Sequence, residues 1–146
     1  MATFSRSVNV DWTGPLMEGK GQAKAGTGAF TLPVSFPQRI GEPGGATSPE
    51  ELIAAAHAAC YAMAFNATLG RKNATARRTH VTATVSADKG EAGIKIARST
   101  LKLTVEGLEG LDAGQLQAVA EEAEGKCPVS NALRNNLEIT VQASAR

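Results

Sequence analysis

The chain contains two cysteines, Cys60 and Cys127, and these side chains offer the most specific chemistry in its sequence. Free cysteine is among the most buried residue types, so both could simply be small core hydrophobes. Alternatively, one or both react as thiolates, since the thiolate is the nucleophile of cysteine chemistry. The residues around each cysteine favour the second interpretation.

Cys127 opens the segment CPVS, which is typical of the start of a helix. Proline is favoured at the first helical position, and the helix dipole stabilises a thiolate at that end. Lys126 adds a positive charge beside the thiol. A cysteine that only fills space in a core needs none of these features.

Cys60 lies in a long apolar segment, about three turns beyond the predicted helix start. The influence of the helix dipole fades after the first turn, and apolar burial raises a cysteine pKa above its free value of about 8.5. A reactive Cys60 therefore needs a stabilising group from outside its own helix. Arg39, within the segment FPQRI, is the candidate, because a guanidinium stays charged and donates several hydrogen bonds. Alternatively, Arg39 is an ordinary surface residue.

His57 lies three positions before Cys60 and so on the same helical face. A Cys–His pair could serve nucleophilic catalysis or bind a metal, but no third partner is evident, and we expect a structural role. His80 is expected to be a surface or cross-strand residue. With two Cys, two His and no C-x-x-C, the sequence gives little support to a zinc site.

The composition argues against some partners and compartments. There are 15 basic and 14 acidic residues, for a formal net charge of +1, which gives no electrostatic reason to expect nucleic acid or an anionic membrane. The N-terminus is unlike a signal peptide, and no run approaches the roughly 18 apolar residues of a transmembrane helix. We expect a cytoplasmic protein, in which a standing structural disulfide would be unusual.

Alternating apolar and polar residues predict six strands, several of them bounded by glycine. They span residues 3–12, 19–26, 30–36, 78–87, 94–105 and 137–143. Pro33 suggests an edge strand or a bulge. Helices are predicted over 112–125, with Leu116, Val119, Ala120 and Ala123 on one face, and over 128–135. The sequence predicts a single domain, 1–146, of the α+β class, with antiparallel sheets around a long buried central helix.

The central helix has the strongest sequence signals. Ser48 fits its N-cap, Pro49 its first position and Glu51 a capping box. Residues 52–69, LIAAAHAACYAMAFNATL, are almost uniformly apolar or small, which is typical of a helix buried on nearly all sides. One chain of this size can hardly cover such a helix completely, so we expect a homodimer with interleaved strands.

Two segments resemble a known family. SPEELIAAAHAACY, at residues 48–61, closely resembles the central-helix signature of the OsmC/Ohr family of bacterial hydroperoxide reductases. CPVSNAL, at residues 127–133, resembles that family's second-cysteine motif. The resemblance covers nearly the whole chain, because the order of the elements and the spacing of the motifs also agree. AHAAC and the arginine of FPQRI favour the OsmC branch, whereas SNA leans towards the Ohr branch.

The resemblance implies an OsmC-like fold, an intertwined homodimer and thiol-dependent reduction of organic hydroperoxides, and less readily of hydrogen peroxide, in defence against oxidative or osmotic stress. By position, Cys60 would be the peroxidatic cysteine and Cys127 the resolving one, joined in a disulfide after oxidation. Arg39 would stabilise the Cys60 thiolate and orient the peroxide, and Glu50 would hold Arg39 by an ion pair. An external dithiol, of lipoyl or similar type, would reduce the disulfide. No metal or organic cofactor is required.

The positions of Glu50 and Cys60 constrain this site. They lie ten residues apart, hence about 15 Å along one helix axis. A single Arg39 can hardly reach both groups of the same chain. We expect a composite site, in which the Glu50 near a given Cys60 comes from the partner subunit. The alternative is a break in the helix soon after Glu51.

Three other functions remain compatible with the two cysteines. A redox sensor, switched by a Cys60–Cys127 disulfide, would show no catalytic turnover with excess peroxide. A small-molecule binding module would have cysteines that only pack, and neither would react in a mild thiol titration. A zinc protein would contain metal when the purified material is analysed.

Overall fold

The N-terminal sheet has three antiparallel strands in the order β1-β2-β3. Strand β1 spans Val8–Thr13, β2 spans Lys20–Ala25 and β3 spans Thr31–Val34. Strand β3 lies at an edge, where proline is tolerated because it removes no ladder hydrogen bond. The edge position suggested by Pro33 is therefore confirmed. This computed structural model describes all 146 residues.

A short helix, α1 (Phe36–Ile40), follows β3 and carries Arg39. The Ser35 hydroxyl caps it by accepting a hydrogen bond from the Gln38 backbone N–H at 3.3 Å. No helix is predicted here from the sequence, which instead predicts a strand that continues to residue 36. Five residues are too few for a helical period to be recognised, so this helix was missed.

Helix α2 (Pro49–Arg71) is continuous over 23 residues. Its predicted cap is present, since the Ser48 hydroxyl accepts a hydrogen bond from the Glu51 backbone N–H at 3.1 Å. The alternative of a break soon after Glu51 is therefore wrong. The chain consists of two compact units, Met1–Leu52 and Ile53–Arg146, and the boundary between them lies inside this helix.

Only one face of α2 is buried within the chain. The buried residues are His57, Tyr61, Phe65, Thr68 and Leu69. The open face of α2, as we call it, consists of the exposed residues Ala55, Ala56, Ala59, Met63 and Ala67. The expected burial on nearly all sides is thus not reached in a single chain.

By length and composition alone, α2 could also cross a membrane. The expectation that no apolar run approaches the length of a transmembrane helix is therefore wrong. The core helix of a globular protein meets the same criterion. Tyr61 and Phe65 of α2 are fully buried and belong to the hydrophobic core. Their packing is that of a core helix.

The second unit contains the sheet β4-β5-β6. Strands β4 (Thr75–Gly90) and β5 (Gly93–Glu109) form a long antiparallel hairpin, and both extend beyond their predicted ends. Strand β6 (Glu138–Ala145) pairs with β5 in parallel, which departs from the expectation of antiparallel pairing. The cause is the helical crossover between β5 and β6, which returns the chain to the beginning of β5.

Two helices make this crossover. A 3₁₀ turn (Ala113–Gln115) leads into α3 (Leu116–Lys126), and α4 (Pro128–Leu133) follows. Helix α3 buries the face that the sequence predicted, namely Leu116, Val119, Ala120 and Ala123. Cys127 joins the two helices in an extended conformation, with φ −78° and ψ 116°. Pro128 disfavours helical angles at the residue before it, which explains this break.

Candidate active site

The four predicted site residues lie in two pairs. Arg39 and Glu50 meet in the N-terminal unit. Cys60 and Cys127 meet in the second unit, where Cys60 packs against the core cluster that contains Cys127. The N-terminal unit thus contains a charged pair, and the second unit contains a pair of thiols.

The charged pair is bidentate. Arg39 Nη2 donates to Glu50 Oε1 at 2.7 Å, and Arg39 Nε lies 3.1 Å from both carboxylate oxygens. The side chains are 26% and 14% exposed, respectively. An arginine held through two parallel donors is fixed in orientation as well as position.

The loop between α1 and α2 holds this pair in place. The Ala46 backbone N–H donates to Gln38 Oε1 at 2.8 Å, and the Thr47 backbone N–H donates to the Pro33 carbonyl at 2.8 Å. The Thr47 hydroxyl also donates to Glu51 at 3.1 Å. Despite its glycines, the loop is therefore tied to α1, to β3 and to the first turn of α2.

Glu50 is held in its charged form. Burial raises the pKa of its carboxyl, but hydrogen bonds from Arg39 and from its own backbone N–H lower it, as does the Arg39 charge. The net pKa of Glu50 lies below its ordinary value. The pair therefore stays ionic throughout the neutral range.

The two cysteines differ in exposure. Cys60, on α2, is partly buried, whereas Cys127 is fully buried at the start of α4. Both are free thiols. Cys60 packs against the core cluster that contains Cys127, and the Cys127 thiol is close enough to raise the Cys60 pKa.

The pKa of Cys60 is raised, as its apolar surroundings predict. Burial is the main cause, and the Val129 backbone N–H acts in the opposite direction by donating to the sulfur. The neighbouring Cys127 thiol raises the Cys60 pKa further. A stabilising group outside α2 is thus present in the form of a backbone amide of α4, but it does not outweigh burial.

His57 is fully buried and makes two short hydrogen bonds. Its Nδ1 lies 2.6 Å from the Ser99 hydroxyl on β5, and its Nε2 lies 2.7 Å from the Ser130 hydroxyl on α4. Both serines are also fully buried. Burial lowers the pKa of His57, and the Glu124 carboxylate raises it in part, so the imidazole is neutral. A neutral ring donates from one nitrogen and accepts at the other.

No group of three or more His, Cys, Asp or Glu side chains is arranged to hold a metal ion. Both ring nitrogens of His57 are bonded to serine hydroxyls. His80 is exposed on β4, as expected.

Sequence reasoning missed three contributors to this site. The Val129 amide belongs to the backbone and leaves no mark in the side-chain pattern. Ser130 belongs to the CPVSNAL segment, which was its only signal. Ser99 gave none, since its contact with His57 spans 42 residues of sequence.

The chain is similar to known proteins over most of its length. The model of the family described as OsmC-like protein matches residues 41–142. Peroxiredoxin OsmC of Escherichia coli is 37% identical over 142 residues, which covers 96% of this chain and 97% of that protein. Organic hydroperoxide resistance protein OhrA of Bacillus subtilis is 39% identical over 101 residues, or 68% of each chain.

Solved structures show the same fold. An organic hydroperoxide resistance protein from Elizabethkingia anophelis has a TM-score of 0.78 and 27% identity, covering 100% of both chains. OhrB of Bacillus subtilis has a TM-score of 0.73 and 25% identity, covering 94% of this chain and 98% of its own. The chain therefore belongs to the OsmC/Ohr family, within its OsmC branch.

Proposed function

We propose that this protein reduces organic hydroperoxides to alcohols, with Cys60 as the attacking thiolate and Cys127 as the resolving thiol. It is a cysteine-based peroxidase that serves in stress defence, as the names of its relatives indicate. The observation that carries the assignment is the packing of Cys60 against the core cluster that contains Cys127. Two neighbouring thiols, one at the middle of a helix and one at the start of another, are suited to a reversible disulfide.

The chemistry proceeds through three steps. The Cys60 thiolate attacks the distal oxygen of ROOH, so that an S–O bond forms, the O–O bond breaks and the alkoxide leaves as the alcohol after taking a proton. The Cys127 sulfur then attacks the Cys60 sulfenic acid, forming the S–S bond and releasing water. An external dithiol reduces this disulfide by thiol–disulfide exchange.

A lipoyl-type dithiol is our proposal for that reductant. The resemblance to the OsmC/Ohr family supports it, and a dithiol can complete both halves of the exchange without leaving a mixed disulfide. We place the reaction in the cytoplasm, where reducing conditions return both cysteines to the thiol form.

Arg39 is proposed to supply the stabilisation that the Cys60 thiolate lacks. Burial raises the Cys60 pKa by more than the Val129 amide lowers it, and a guanidinium is the group that best compensates. Arg39 is bound to Glu50, which lies about 15 Å along the α2 axis from Cys60. The proposed site is therefore composite: the Arg39–Glu50 pair of one subunit serves the Cys60 of the other.

The proposed homodimer also accounts for the uncovered apolar surface. The small side chains on the open face of α2 allow another helix to approach closely. Val8, Val10 and Trp12 of β1 are 51%, 59% and 40% exposed, respectively, which is unusual for large hydrophobic residues along one strand. A second copy of the chain would cover both surfaces in a symmetric, self-complementary contact.

Oxidation with one equivalent of cumene hydroperoxide tests this function. Peptide mapping should find a Cys60–Cys127 disulfide within one chain, and turnover should follow when dihydrolipoamide is supplied. Cys60→Ser should abolish peroxide consumption, whereas Cys127→Ser should stop the cycle at the Cys60 sulfenic acid. Undiminished turnover by Cys60→Ser, or bridges found only between chains, would contradict the assignment.

A further inference from the structure

Helix α4 presents both groups that reach Cys60 from outside α2. These are the Cys127 thiol at its N-cap and the Val129 backbone N–H in its first turn. The helix has six residues, and helices shorter than about 12 residues are marginal on their own in water. Its position relative to Cys60 therefore depends on contacts with the rest of the unit.

Ser130 supplies a buried polar contact of this kind. Its hydroxyl lies 2.7 Å from Nε2 of His57. His57 is three residues before Cys60 on α2, and residues at this spacing are neighbours on one helical face. The His57–Ser130 bond thus ties α4 to α2 within one turn of the Cys60 sulfur.

Ser99 fixes the other side of the imidazole. Its hydroxyl lies 2.6 Å from Nδ1 of His57, and β5, which carries it, is the central strand of its sheet. Because both ring nitrogens are hydrogen-bonded, the imidazole ring cannot rotate freely, and its tautomer is set by its two partners. The resulting Ser99–His57–Ser130 chain runs without interruption from β5 through α2 to α4.

We propose that His57, anchored by Ser99, is the positioning residue of the resolving step: through Ser130 it holds Cys127 where its sulfur attacks the Cys60 sulfenic acid. The inference rests on the proposed function. In this step the S–S bond forms, the S–O bond of Cys60 breaks, and the hydroxide leaves as water with the thiol proton of Cys127. His57 undergoes no bond change. Its contribution is geometric, and small displacements of reacting atoms slow such steps strongly.

Ser130→Ala and Ser99→Ala form a matched pair of variants. Each removes one hydroxyl from a fully buried serine bonded to the same ring, so each loses a comparable hydrogen bond. Only Ser130→Ala removes the hydrogen bond between His57 and α4. His57→Leu removes both bonds, whereas His57→Gln retains a donor and an acceptor and keeps the test open if His57→Leu fails to fold.

The readout is the fate of the Cys60 sulfenic acid after one equivalent of cumene hydroperoxide. Dimedone traps the sulfenic acid, and mass spectrometry measures the ratio of the trapped adduct to the disulfide. This ratio does not depend on the rate of the first oxidation. Ser130→Ala should form the disulfide about tenfold more slowly, corresponding to the loss of one buried hydrogen bond. It should also over-oxidise to the sulfinic acid at about tenfold lower peroxide. His57→Gln should lie nearer the wild type than His57→Leu.

Ser99→Ala decides between positioning and general stability. The inference predicts a clearly smaller effect on disulfide formation than that of Ser130→Ala, at a similar loss of unfolding free energy. Equal slowing by both variants, or a wild-type rate in Ser130→Ala, would overturn it. If the wild-type protein itself yields neither sulfenic acid nor disulfide, the proposed function fails instead, and the two failures are distinguishable.

Discussion

Arg39 donates hydrogen bonds to Glu50 of its own chain through two nitrogens. Glu50 lies in the first turn of the continuous helix α2, which also carries Cys60. Arg39 is therefore anchored at the first turn of α2, ten residues before Cys60 in the sequence. This anchoring leads to three predictions about the charged pair, and a fourth concerns the amide at the thiol.

Arg39→Ala should raise the Cys60 pKa and slow peroxide reduction by orders of magnitude without unfolding the chain. Each unit of pKa corresponds to about 1.4 kcal/mol of lost thiolate stabilisation. Arg39→Lys should rescue poorly, because an ammonium lacks the planar fork of donors. Thiolate absorbance against pH, together with the second-order rate of oxidation, measures both effects. Unchanged titration and rate in Arg39→Ala would remove this residue from the mechanism.

The Glu50 carboxyl should make stability depend on pH in the acid range. Its folded pKa lies below the ordinary 4.5, so its contribution is complete above that pH and is lost as the pH falls through the lower, folded value. Urea unfolding of the wild type and of Glu50→Gln should differ by on the order of 1 kcal/mol at pH near 7. The difference should shrink in more acid solution. A difference that grows on acidification would contradict the ionic pair.

Mixed dimers of Glu50→Ala and Cys60→Ser test the composite site. Each parent homodimer should be inactive or strongly impaired. In the mixed dimer, the Cys60 of one chain meets the intact Glu50 of the other, so a reshuffled equal mixture should recover roughly a quarter of the wild-type rate. Native mass spectrometry confirms that mixed dimers have formed. No recovery in their presence would mean that Glu50 serves its own chain.

The amide of Val129 should lower the Cys60 pKa, because a hydrogen bond to a charged group stabilises the charged form by about 1.5–3 kcal/mol. Replacing it with an ester, through the hydroxy-acid analogue of valine, removes the N–H and keeps the side chain. The Cys60 pKa should then rise. The same replacement at Ala132, an exposed later position of α4, serves as the control. Equal shifts at both positions would assign the effect to the helix and not to this donor.

Long elements with strong end signals could be predicted from the sequence. Helix α2 begins at Pro49 because Ser48 and Glu51 satisfy its first turn, and such caps depend only on neighbouring residues. Helix α1 was missed because it has five residues. Strands β4 and β5 exceed their predictions at both ends, where charged residues and glycines continue the pairing beyond the alternating apolar pattern.

The site divides in the same way. Cys60, Cys127 and Glu50 lie in motifs whose residue types reveal them, and the raised pKa of Cys60 follows from its apolar neighbours. The partners of His57 were not predictable, because Ser99 reaches the ring only through the register of β5 and the packing of that strand on α2. Sequence patterns carry local information, whereas such contacts are set by tertiary packing.

Pro128 has a further consequence for the resolving cysteine. Its ring fixes its own φ and keeps Cys127 out of the helical region, and Cys127 is extended in the folded chain. The restriction is covalent and is therefore present in the unfolded chain as well. Oxidation and reduction of the thiol pair then leave the conformational entropy of the Cys127 backbone nearly unchanged. Pro128→Ala should accordingly act through entropy, so that it changes the rate of disulfide closure by a factor that is nearly independent of temperature.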